Sequence, residues 1–279
     1  MQIVKTISEL RSARRELSPP VGMVPTMGFL HAGHLSLVRA ARSECASVVV
    51  SIFVNPTQFA PHEDLDAYPR DTTRDLELLA EDGAHLVWMP DPGEMYPDGF
   101  QTWIEVDEVT RPLEGIYRPG HFRGVTTVVA KLFNAAAPHK AYFGQKDAQQ
   151  AAVIQRMVRD LNFDLEVKVC PIVREPDGLA MSSRNTYLDP EERLAATILF
   201  KALSNAQTIF KKGERSAEKI REIMNATLNS EPLAKPQYVS CSNPDTLLEL
   251  TGQIKVCALL SMAVFIGKTR LIDNIFLEA

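Results

Sequence analysis

The chain has 279 residues, of which 45% are hydrophobic and 23% charged, as is typical of a globular protein with room for two domains. Its formal net charge of −5 at pH 7 argues against nucleic-acid binding through bulk positive charge. Cys45, Cys170, Cys241 and Cys257 form no C-x-x-C pair, so we expect neither a zinc site nor disulfides, but buried thiols in a reducing compartment.

The hydropathy pattern predicts a cytoplasmic protein without a membrane segment. The N-terminal residues contain no apolar core of the kind that a signal peptide carries. The longest apolar run, 256–266, is too short to cross a bilayer and predicts a buried strand.

Strands and helices alternate through the first part of the chain. Apolar runs predict strands at 21–25, 48–54, 85–89, 141–143 and 165–169, and amphipathic stretches predict helices after Gly33 and at 71–82, 125–137 and 146–161. This alternation favours an α/β fold with a Rossmann-like, doubly wound parallel sheet and right-handed crossovers. Such sheets bind ligands at the carboxyl ends of their strands, near a topological switch point.

The composition changes near Asp189 and Pro190. Helices are predicted at 190–212 and 216–229, followed by strands at 238–241, 254–266 and 271–275. We therefore expect a first domain over residues 1–175 that binds nucleotide and substrate, and a smaller C-terminal α+β domain over 176–279 that acts as a lid.

Two histidines follow the first of these strands, in the segment Met27–His34. His31 and His34 are three residues apart, so they share one face of the first helical turn, where the helix dipole and unpaired N–H groups favour an anion. Gly33 lets a ligand approach the backbone closely. Ordinary helix-start histidines are the alternative. No further ligands stand at a suitable spacing, so we predict no protein-bound metal.

Two further segments carry groups that suit phosphates. Lys146 follows a strand and Gly144 at a helix start, where its ammonium can act as a point charge, although a solvated lysine is the alternative. Hydroxyls and a guanidinium occur together in Met181-Ser182-Ser183-Arg184, after a turn that begins at Glu175 and offers a hinge. A generic serine-rich loop is the alternative there.

Neutral amides follow the strand at 48–54. Asn55 and Gln58 can hydrogen-bond a hydroxyl and a carboxylate without neutralising the carboxylate, so that it stays nucleophilic. A loop-capping role is the alternative for Asn55. A basic cluster of Arg118, His121 and Arg123 follows Glu114, and its role is left open.

Several of these segments together resemble one family. The H-x-G-H element is similar to the signature of the nucleotidyltransferase superfamily, and Met181–Arg184 resembles its K-M-S-K-S loop. The segments that narrow the match are FVNPTQF from Phe53, LEG from Leu113, RPGHF from Arg118, YFGQKDAQQ from Tyr142 and MSSRN from Met181. On these motifs the chain resembles the pantoate–β-alanine ligases in order over nearly its whole length.

The resemblance implies an activity. The expected reaction is the ATP-dependent condensation of (R)-pantoate with β-alanine to pantothenate, AMP and pyrophosphate, through a pantoyl-adenylate. ATP is then a substrate, Mg²⁺ is held mainly by its phosphates, and the protein is a homodimer that binds neither nucleic acid nor membranes. The alternatives are another nucleotidyltransferase or adenylating enzyme of the superfamily, including a tRNA synthetase, and a non-catalytic nucleotide sensor.

The resemblance also implies roles for single residues. His34 is the general acid, Gln58 contacts pantoate and β-alanine, Gln150 contacts pantoate, and we add Asn55 to the substrate residues. The residues expected to carry the catalysis are His31, His34, Lys146, Ser182, Ser183 and Arg184. The residues expected to bind ATP are Met27, Gly28, Phe29, Leu30, His31, Ala32, Gly33, His34, Gly144, Gln145, Lys146, Asp147, Val173 (through its backbone), Met181, Ser182, Ser183 and Arg184.

Overall fold

The structure is a computed structural model that describes residues 1–60 and 63–278. The chain divides into two compact units. Unit 1 comprises Met1–Gln145 and Gln150–Pro171, and unit 2 comprises Lys146–Gln149 and Ile172–Ala279. The four-residue segment that starts at Lys146 thus packs with the C-terminal part, although the sequence-based boundary at residue 175 assigns it to the first domain.

Unit 1 alternates strands and helices as its apolar pattern predicts. In chain order the elements are β1 (Gln2–Val4), α1 (Ile7–Arg15), β2 (Val21–Thr26), α2 (Ala32–Glu44), β3 (Ser47–Ile52), α3 (Thr72–Glu81), β4 (Leu86–Trp88), α4 (Pro92–Met95), α5 (Glu114–Tyr117), α6 (His121–Ala136), β5 (Lys140–Gly144), α7 (Ala148–Asp160) and β6 (Glu166–Cys170). Short 3-10 turns lie at Pro56–Gln58, Glu108–Thr110 and Gln145–Asp147.

The strands of unit 1 form one parallel sheet in the order β1-β4-β3-β2-β5-β6. Successive side chains of the central strands are buried on opposite faces. Met23 and Val49 join the core under α1, α6 and α7, whereas Val24 and Val50 join the core under α2 and α3. Burial on both faces explains why these strands are continuous apolar runs. The predicted α/β class with a doubly wound sheet is confirmed.

The strand order defines where this sheet changes direction. From β2 the chain builds outward through β3 and β4, whereas β5 and β6 lie on the other side of β2. The switch point therefore lies between β2 and β5, where the carboxyl ends of parallel strands leave a crevice for ligands. Met27 follows β2, and Gln145 follows β5.

Unit 2 contains an antiparallel sheet covered by helices. Its elements are a 3-10 turn at Ser183–Tyr187, α8 (Pro190–Ala195), α9 (Ile198–Lys211), α10 (Ala217–Leu228), β7 (Ala234–Ser242), β8 (Cys257–Ile266) and β9 (Thr269–Glu278). The strand order is β7-β8-β9. Leu203, Met224 and Leu260 meet in one core between helices and sheet.

The structure corrects several element boundaries. The sequence pattern misses β1 and α1, although Thr6 and Glu9 form a complete capping box at the start of α1. The helix predicted at 146–161 begins with a 3-10 turn, and α6 starts four residues before the predicted Val125. The helix predicted at 190–212 is interrupted beside Thr197, whose hydroxyl donates to the carbonyl of Leu194 at 2.8 Å.

The strands of unit 2 also differ from their predicted bounds. β7 and β9 are longer than predicted, and in β9 the buried polar residues Asp273 and Asn274 obscure the strand pattern. β8 starts at Cys257, since the preceding Val256 is 72% exposed and lies outside the ladder. None of the helices in the described part of the chain combines the length and the apolar composition needed to cross a membrane.

Candidate functional site

His31 and His34 cap the start of α2 with their own side chains. His31 is the N-cap residue, and its Nδ1 accepts a hydrogen bond from the backbone N–H of Gly33 at 3.1 Å. In return, the backbone N–H of His31 donates to Nδ1 of His34 at 3.3 Å. The two ring centroids are 4.1 Å apart. This is a capping box built from imidazoles, so both side chains are fixed by the helix start itself.

The capping geometry fixes the tautomer of both rings. A nitrogen that accepts a hydrogen bond from a backbone N–H cannot carry a proton, so each neutral ring is protonated on Nε2. If a ring were doubly protonated, its Nδ1–H would point at the backbone N–H that now donates to Nδ1. The capping geometry therefore favours the neutral imidazole.

The turn before these histidines is held by a buried carboxylate. Gly28 and Phe29 have positive φ values of 82° and 50°, and the second is uncommon for a residue with a side chain. Asp75 of α3 is 1% exposed, and its two oxygens accept hydrogen bonds from the N–H groups of Phe29 and Leu30, both at 2.7 Å. Arg74 donates to the carbonyl of Leu30 at 3.1 Å. Helix α3 thus fixes the conformation of the turn.

These contacts revise the sequence argument that unpaired N–H groups at this turn bind an anion. The N–H groups of Phe29, Leu30, His31 and Gly33 are engaged within the protein. Burial raises the pKa of Asp75, although the two N–H donors lower it. Four backbone N–H groups of this segment are therefore already hydrogen-bonded within the protein.

The segment after β3 is braced from within. Asn55 is 1% exposed and caps the 3-10 turn at Pro56–Gln58. Its Oδ1 accepts from the hydroxyls of Thr57 and Tyr96 at 2.9 and 2.8 Å, and its Nδ2 donates to Oε1 of Gln58 and to the carbonyl of Gly124, both at 3.2 Å. The structure accounts for the polar atoms of Asn55 by these capping contacts, so its effect on a substrate would pass through Gln58.

Gln58 also contacts the segment that follows β2. Its Nε2 donates to Sδ of Met27 at 3.1 Å. β2 and β3 are adjacent parallel strands, so the residues that follow them meet at the same edge of the sheet. The structure thereby brings a residue predicted to bind ATP into contact with one predicted to bind pantoate.

The basic cluster noted in the sequence supports the backbone of Gln58. Nδ1 of His121 lies 2.8 Å from the carbonyl oxygen of Gln58, and Nη1 of Arg118 lies 3.1 Å from Nε2 of His121. Because a carbonyl only accepts and a guanidinium only donates, His121 is neutral with its proton on Nδ1. Burial and the neighbouring Arg118 lower the pKa of His121 to about 4.

A carboxylate completes this cluster. Arg118 donates to both oxygens of Glu63, at 2.7 and 2.9 Å. Burial raises the pKa of Glu63, but hydrogen bonding and the charge of Arg118 outweigh it, so the pKa lies below its ordinary value. Arg123 lies apart from this chain of contacts, with its guanidinium 4.5 Å from the ring centre of Trp103.

The remaining residues predicted to bind ATP and pantoate divide between the two units. Gly144 and Gln145, at the end of β5, and Gln150, in α7, belong to unit 1. Lys146 and Asp147 belong to unit 2, where Nζ of Lys146 lies 3.9 Å from Oδ1 of Asp147.

Val173 and Met181 form the base of a small hairpin in unit 2. The N–H of Met181 donates to the carbonyl of Val173 at 3.0 Å, and the N–H of Glu175 donates to the carbonyl of Leu179 at 2.8 Å. The turn predicted as a hinge is the tip of this hairpin, where Asp177 accepts from Arg193 at 2.8 Å. Its movement as a lid stays a prediction.

The predicted phosphate-binding residues follow this hairpin. Ser182 caps the 3-10 turn at Ser183–Tyr187, where its Oγ accepts from the N–H of Arg184 at 3.3 Å. Ser183 is 7% exposed. In the described ranges 1–60 and 63–278, no three His, Cys, Asp or Glu side chains are grouped to hold a metal ion.

Asp75 is a residue of this site that was not predicted from the sequence. A helix is predicted at 71–82, but Asp75 carries no role there. One signal was present, because Asp75 precedes the buried Leu79 by four residues and so lies on the inward face of the helix. A carboxylate on that face requires buried donors, and the turn after β2 supplies them.

The fold and these segments define a class of α/β proteins that bind ligands at the carboxyl edge of a parallel sheet. The comparisons with known proteins specify the family. The model of the pantoate-β-alanine ligase family matches residues 2–276. A pantothenate synthetase of Roseiflexus castenholzii is 58% identical over 279 residues, which cover 100% of both chains. The chain therefore belongs to the pantoate–β-alanine ligase family.

Solved structures agree with this assignment. A pantothenate synthetase structure from Thermus thermophilus is 46% identical, matches with a TM-score of 0.94 and covers 99% of both chains. A pantoate-β-alanine ligase from Francisella tularensis, complexed with β-γ ATP and β-alanine, is 36% identical with a TM-score of 0.80. That match covers 99% of this chain and 97% of the other.

We expect Asp75→Asn to loosen the turn after β2. The amide keeps the shape of the carboxylate but turns an NH₂ group toward one of two backbone N–H donors, which leaves that donor unsatisfied. Thermal or denaturant unfolding should show a loss of about 1–3 kcal/mol. Asp71→Asn is the matched control, because Asn caps a helix as well as Asp does. Equal stability of the two variants would contradict the proposed constraint.

We expect His121 to make the protein less stable in mild acid. Its pKa is about 4 in the folded protein and 6.5 as the ordinary value, so the unfolded chain binds more protons between these pH values. Stability is retained above pH 6.5 and falls by up to about 1.4 kcal/mol per pH unit as the pH drops toward 4. The charges facing this ring are Arg118, Glu114 and Glu63.

The measurement is denaturant unfolding at several pH values for the wild type and His121→Asn, which retains a donor near Gln58. The asparagine variant should show a shallower fall over this range. Parallel curves would mean that His121 is not the titrating group.

Proposed function

We propose that this protein catalyses the ATP-dependent condensation of (R)-pantoate with β-alanine to pantothenate, AMP and pyrophosphate. Membership of the pantoate–β-alanine ligase family supports the activity. The observation that carries the proposal is the 3.1 Å contact between Gln58, which is predicted to bind pantoate, and Met27, which is predicted to bind ATP. Attack of pantoate on ATP requires the two substrates to be neighbours.

The proposed first step joins pantoate to the nucleotide. A carboxylate oxygen of pantoate attacks the α-phosphorus of ATP, the bond to the bridging oxygen breaks, and pyrophosphate leaves with pantoyl-adenylate remaining. Pyrophosphate leaves as a stable anion, so hydrogen bonds suffice to stabilise it. The Nε2–H donors of His31 and His34 suit this task, whereas full proton transfer from a neutral ring is unfavourable. We therefore propose that His34 acts by hydrogen-bond donation, where the resemblance implies a general acid.

The proposed second step forms the amide. The unprotonated amine of β-alanine attacks the acyl carbon, the bond from that carbon to the phosphate oxygen breaks, and AMP leaves. The attacking amine loses one proton to water on the way to the amide. Gln58 and Gln150 are proposed to bind pantoate through neutral amides, which preserves the charge of its carboxylate for the first step.

The nucleotide is proposed to use groups from several segments. Its phosphates are proposed to be bound by Lys146, Ser182, Ser183 and Arg184. Val173 is proposed to contact the nucleotide through its backbone. We propose that Mg²⁺ arrives as part of the Mg-ATP substrate. A homodimer in the cytoplasm remains the expected setting.

The decisive experiment is ATP–pyrophosphate exchange with the purified wild-type protein. Exchange should depend on pantoate and proceed without β-alanine, and β-alanine should then release AMP and yield pantothenate, detected by mass spectrometry. An adenylating enzyme that stops at the first step would show no amine-dependent AMP release. A nucleotide sensor would bind ATP without exchange.

We expect two variants of His34 to separate its capping and donor functions. Asn places an acceptor where Nδ1 stands but no donor at Nε2, so His34→Asn should keep stability and lose about 10²–10³ in exchange rate. Gln reaches the Nε2 position, so His34→Gln should retain more activity and lose about 1 kcal/mol of stability. The measurements are exchange kinetics and denaturant unfolding. Equal activity of the two variants would contradict donation through Nε2.

We expect Lys146→Ala and Gln58→Ala to affect different substrates. The lysine serves phosphate as a point charge, so its loss should raise the KM for ATP by about tenfold or more, whereas loss of the Gln58 amide should act on pantoate. Steady-state titration of each variant with both substrates is the measurement. Loss of pantoate affinity alone in the Lys146 variant would mean that the assignments are exchanged.

A further inference from the structure

A dipeptide in the last strand of unit 2 contacts two segments that the proposed function assigns to ATP. Asp273 and Asn274 lie in β9, where they are 2% and 3% exposed. Their register partners in β8 are Met262 and Ser261. Neither residue carries a role in the proposed reaction.

Asn274 holds the backbone of Lys146. Its side-chain Nδ2 donates to the carbonyl oxygen of Lys146 at 2.9 Å. That carbonyl lies in the 3-10 turn Gln145–Asp147, before α7 begins. A fixed carbonyl restricts the backbone from which the Lys146 side chain departs, so the hydrogen bond limits the positions that the ammonium group can take.

Asp273 holds the hairpin that leads to Ser182. Arg174 donates to its two carboxylate oxygens at 2.7 and 2.9 Å, and also to the carbonyls of Gly178 and Asn274 at 3.0 and 3.3 Å. The ring of Phe200 lies 4.4 Å from the Arg174 guanidinium carbon. A bidentate, buried pair of this kind fixes orientation as well as distance.

The two contacts are linked within β9. Oδ1 of Asp273 accepts from the backbone N–H of Asn274 at 2.8 Å while it also accepts from Arg174. One dipeptide is thereby hydrogen-bonded to the Lys146 turn and to the Val173–Met181 hairpin. Both of these segments belong to unit 2.

We propose that Asn274 is a positioning residue for ATP, acting through the carbonyl of Lys146. Asp273, the residue before it, holds the Val173–Met181 hairpin in place through Arg174. The proposal rests on the proposed function, because it requires Lys146 to bind a phosphate. A hydrogen bond that only stabilised the fold would affect both substrates alike, whereas a positioning bond affects ATP selectively.

The test compares Asn274→Ala with a matched control, Asn225→Ala. Nδ2 of Asn225 donates to the carbonyl of Arg221 at 3.0 Å in α10, so this variant removes the same kind of bond from the same unit. Asn274→Ala should raise the KM for ATP in pantoate-dependent pyrophosphate exchange by about five- to tenfold, with the KM for pantoate within about twofold of wild type. Asn225→Ala should leave both constants unchanged. Unfolding curves establish that each variant is folded.

A second measurement isolates the route through Lys146. The dissociation constant for ATP is measured calorimetrically for the wild type, Asn274→Ala, Lys146→Ala and the double variant. If Asn274 acts through Lys146, its replacement weakens ATP binding in the wild type but changes it by less than about twofold when Lys146 is already alanine. The same weakening in both backgrounds would overturn the proposal.

Asn274→Asp provides a variant of the same shape. An ionised carboxylate cannot donate to the Lys146 carbonyl, so the ATP effect of Asn274→Ala should recur. Wild-type exchange together with unaffected ATP constants in both Asn274 variants would overturn this proposal alone. A folded wild-type protein without pantoate-dependent exchange would overturn the proposed function, and this proposal with it.

Discussion

The pairing of one buried carboxylate with two backbone N–H groups determines the geometry after β2. Without Asp75, the left-handed residue Phe29 and its neighbour Leu30 would place two donors in a buried environment with no acceptor. The start of α2, and with it the orientation of His31 and His34, follows from the path of this turn. Helix α3 therefore holds the segment that is proposed to bind ATP through hydrogen bonds, although none of its own residues belongs to the predicted ATP-binding set.

Intramolecular hydrogen bonds also decide what chemistry this segment offers. The N–H groups of Phe29, Leu30, His31 and Gly33 are engaged by Asp75 and by the two imidazoles, so the donors proposed for the ligand are side-chain N–H groups in a fixed tautomer. The same principle recurs at Gln58, whose carbonyl is held by His121 while its amide side chain contacts Asn55 and Met27. In both segments, the groups proposed to meet a ligand belong to side chains that are themselves held in place by hydrogen bonds.

The sequence was most informative where one physical signal dominated. Continuous apolar runs at β2 and β3, followed by amphipathic helices, predicted a parallel sheet that is buried on both faces. The H-x-G-H segment after β2 predicted that His31 and His34 start a helix. The sequence was least informative where partners are distant along the chain. Asp75 meets Phe29 across 46 positions, and no local pattern reveals which donors a buried carboxylate will find. Asn55 was predicted to contact substrate, but its contacts are those of a cap, which the amide chemistry alone does not distinguish.

The membership of Lys146–Gln149 in unit 2 has a consequence for the order of folding. Asn274 follows Lys146 by 128 residues in the sequence. During translation, all strands of the parallel sheet in unit 1 are therefore synthesised long before the hydrogen bond from Asn274 to the Lys146 carbonyl can form. The turn between β5 and α7 then gains this hydrogen bond only once the last strand has been synthesised. If Asn274 positions Lys146 as proposed, Lys146 becomes able to bind ATP only after the whole parallel sheet has been translated. A shortened chain that retains every strand of the parallel sheet but stops before β9 would then bind ATP poorly.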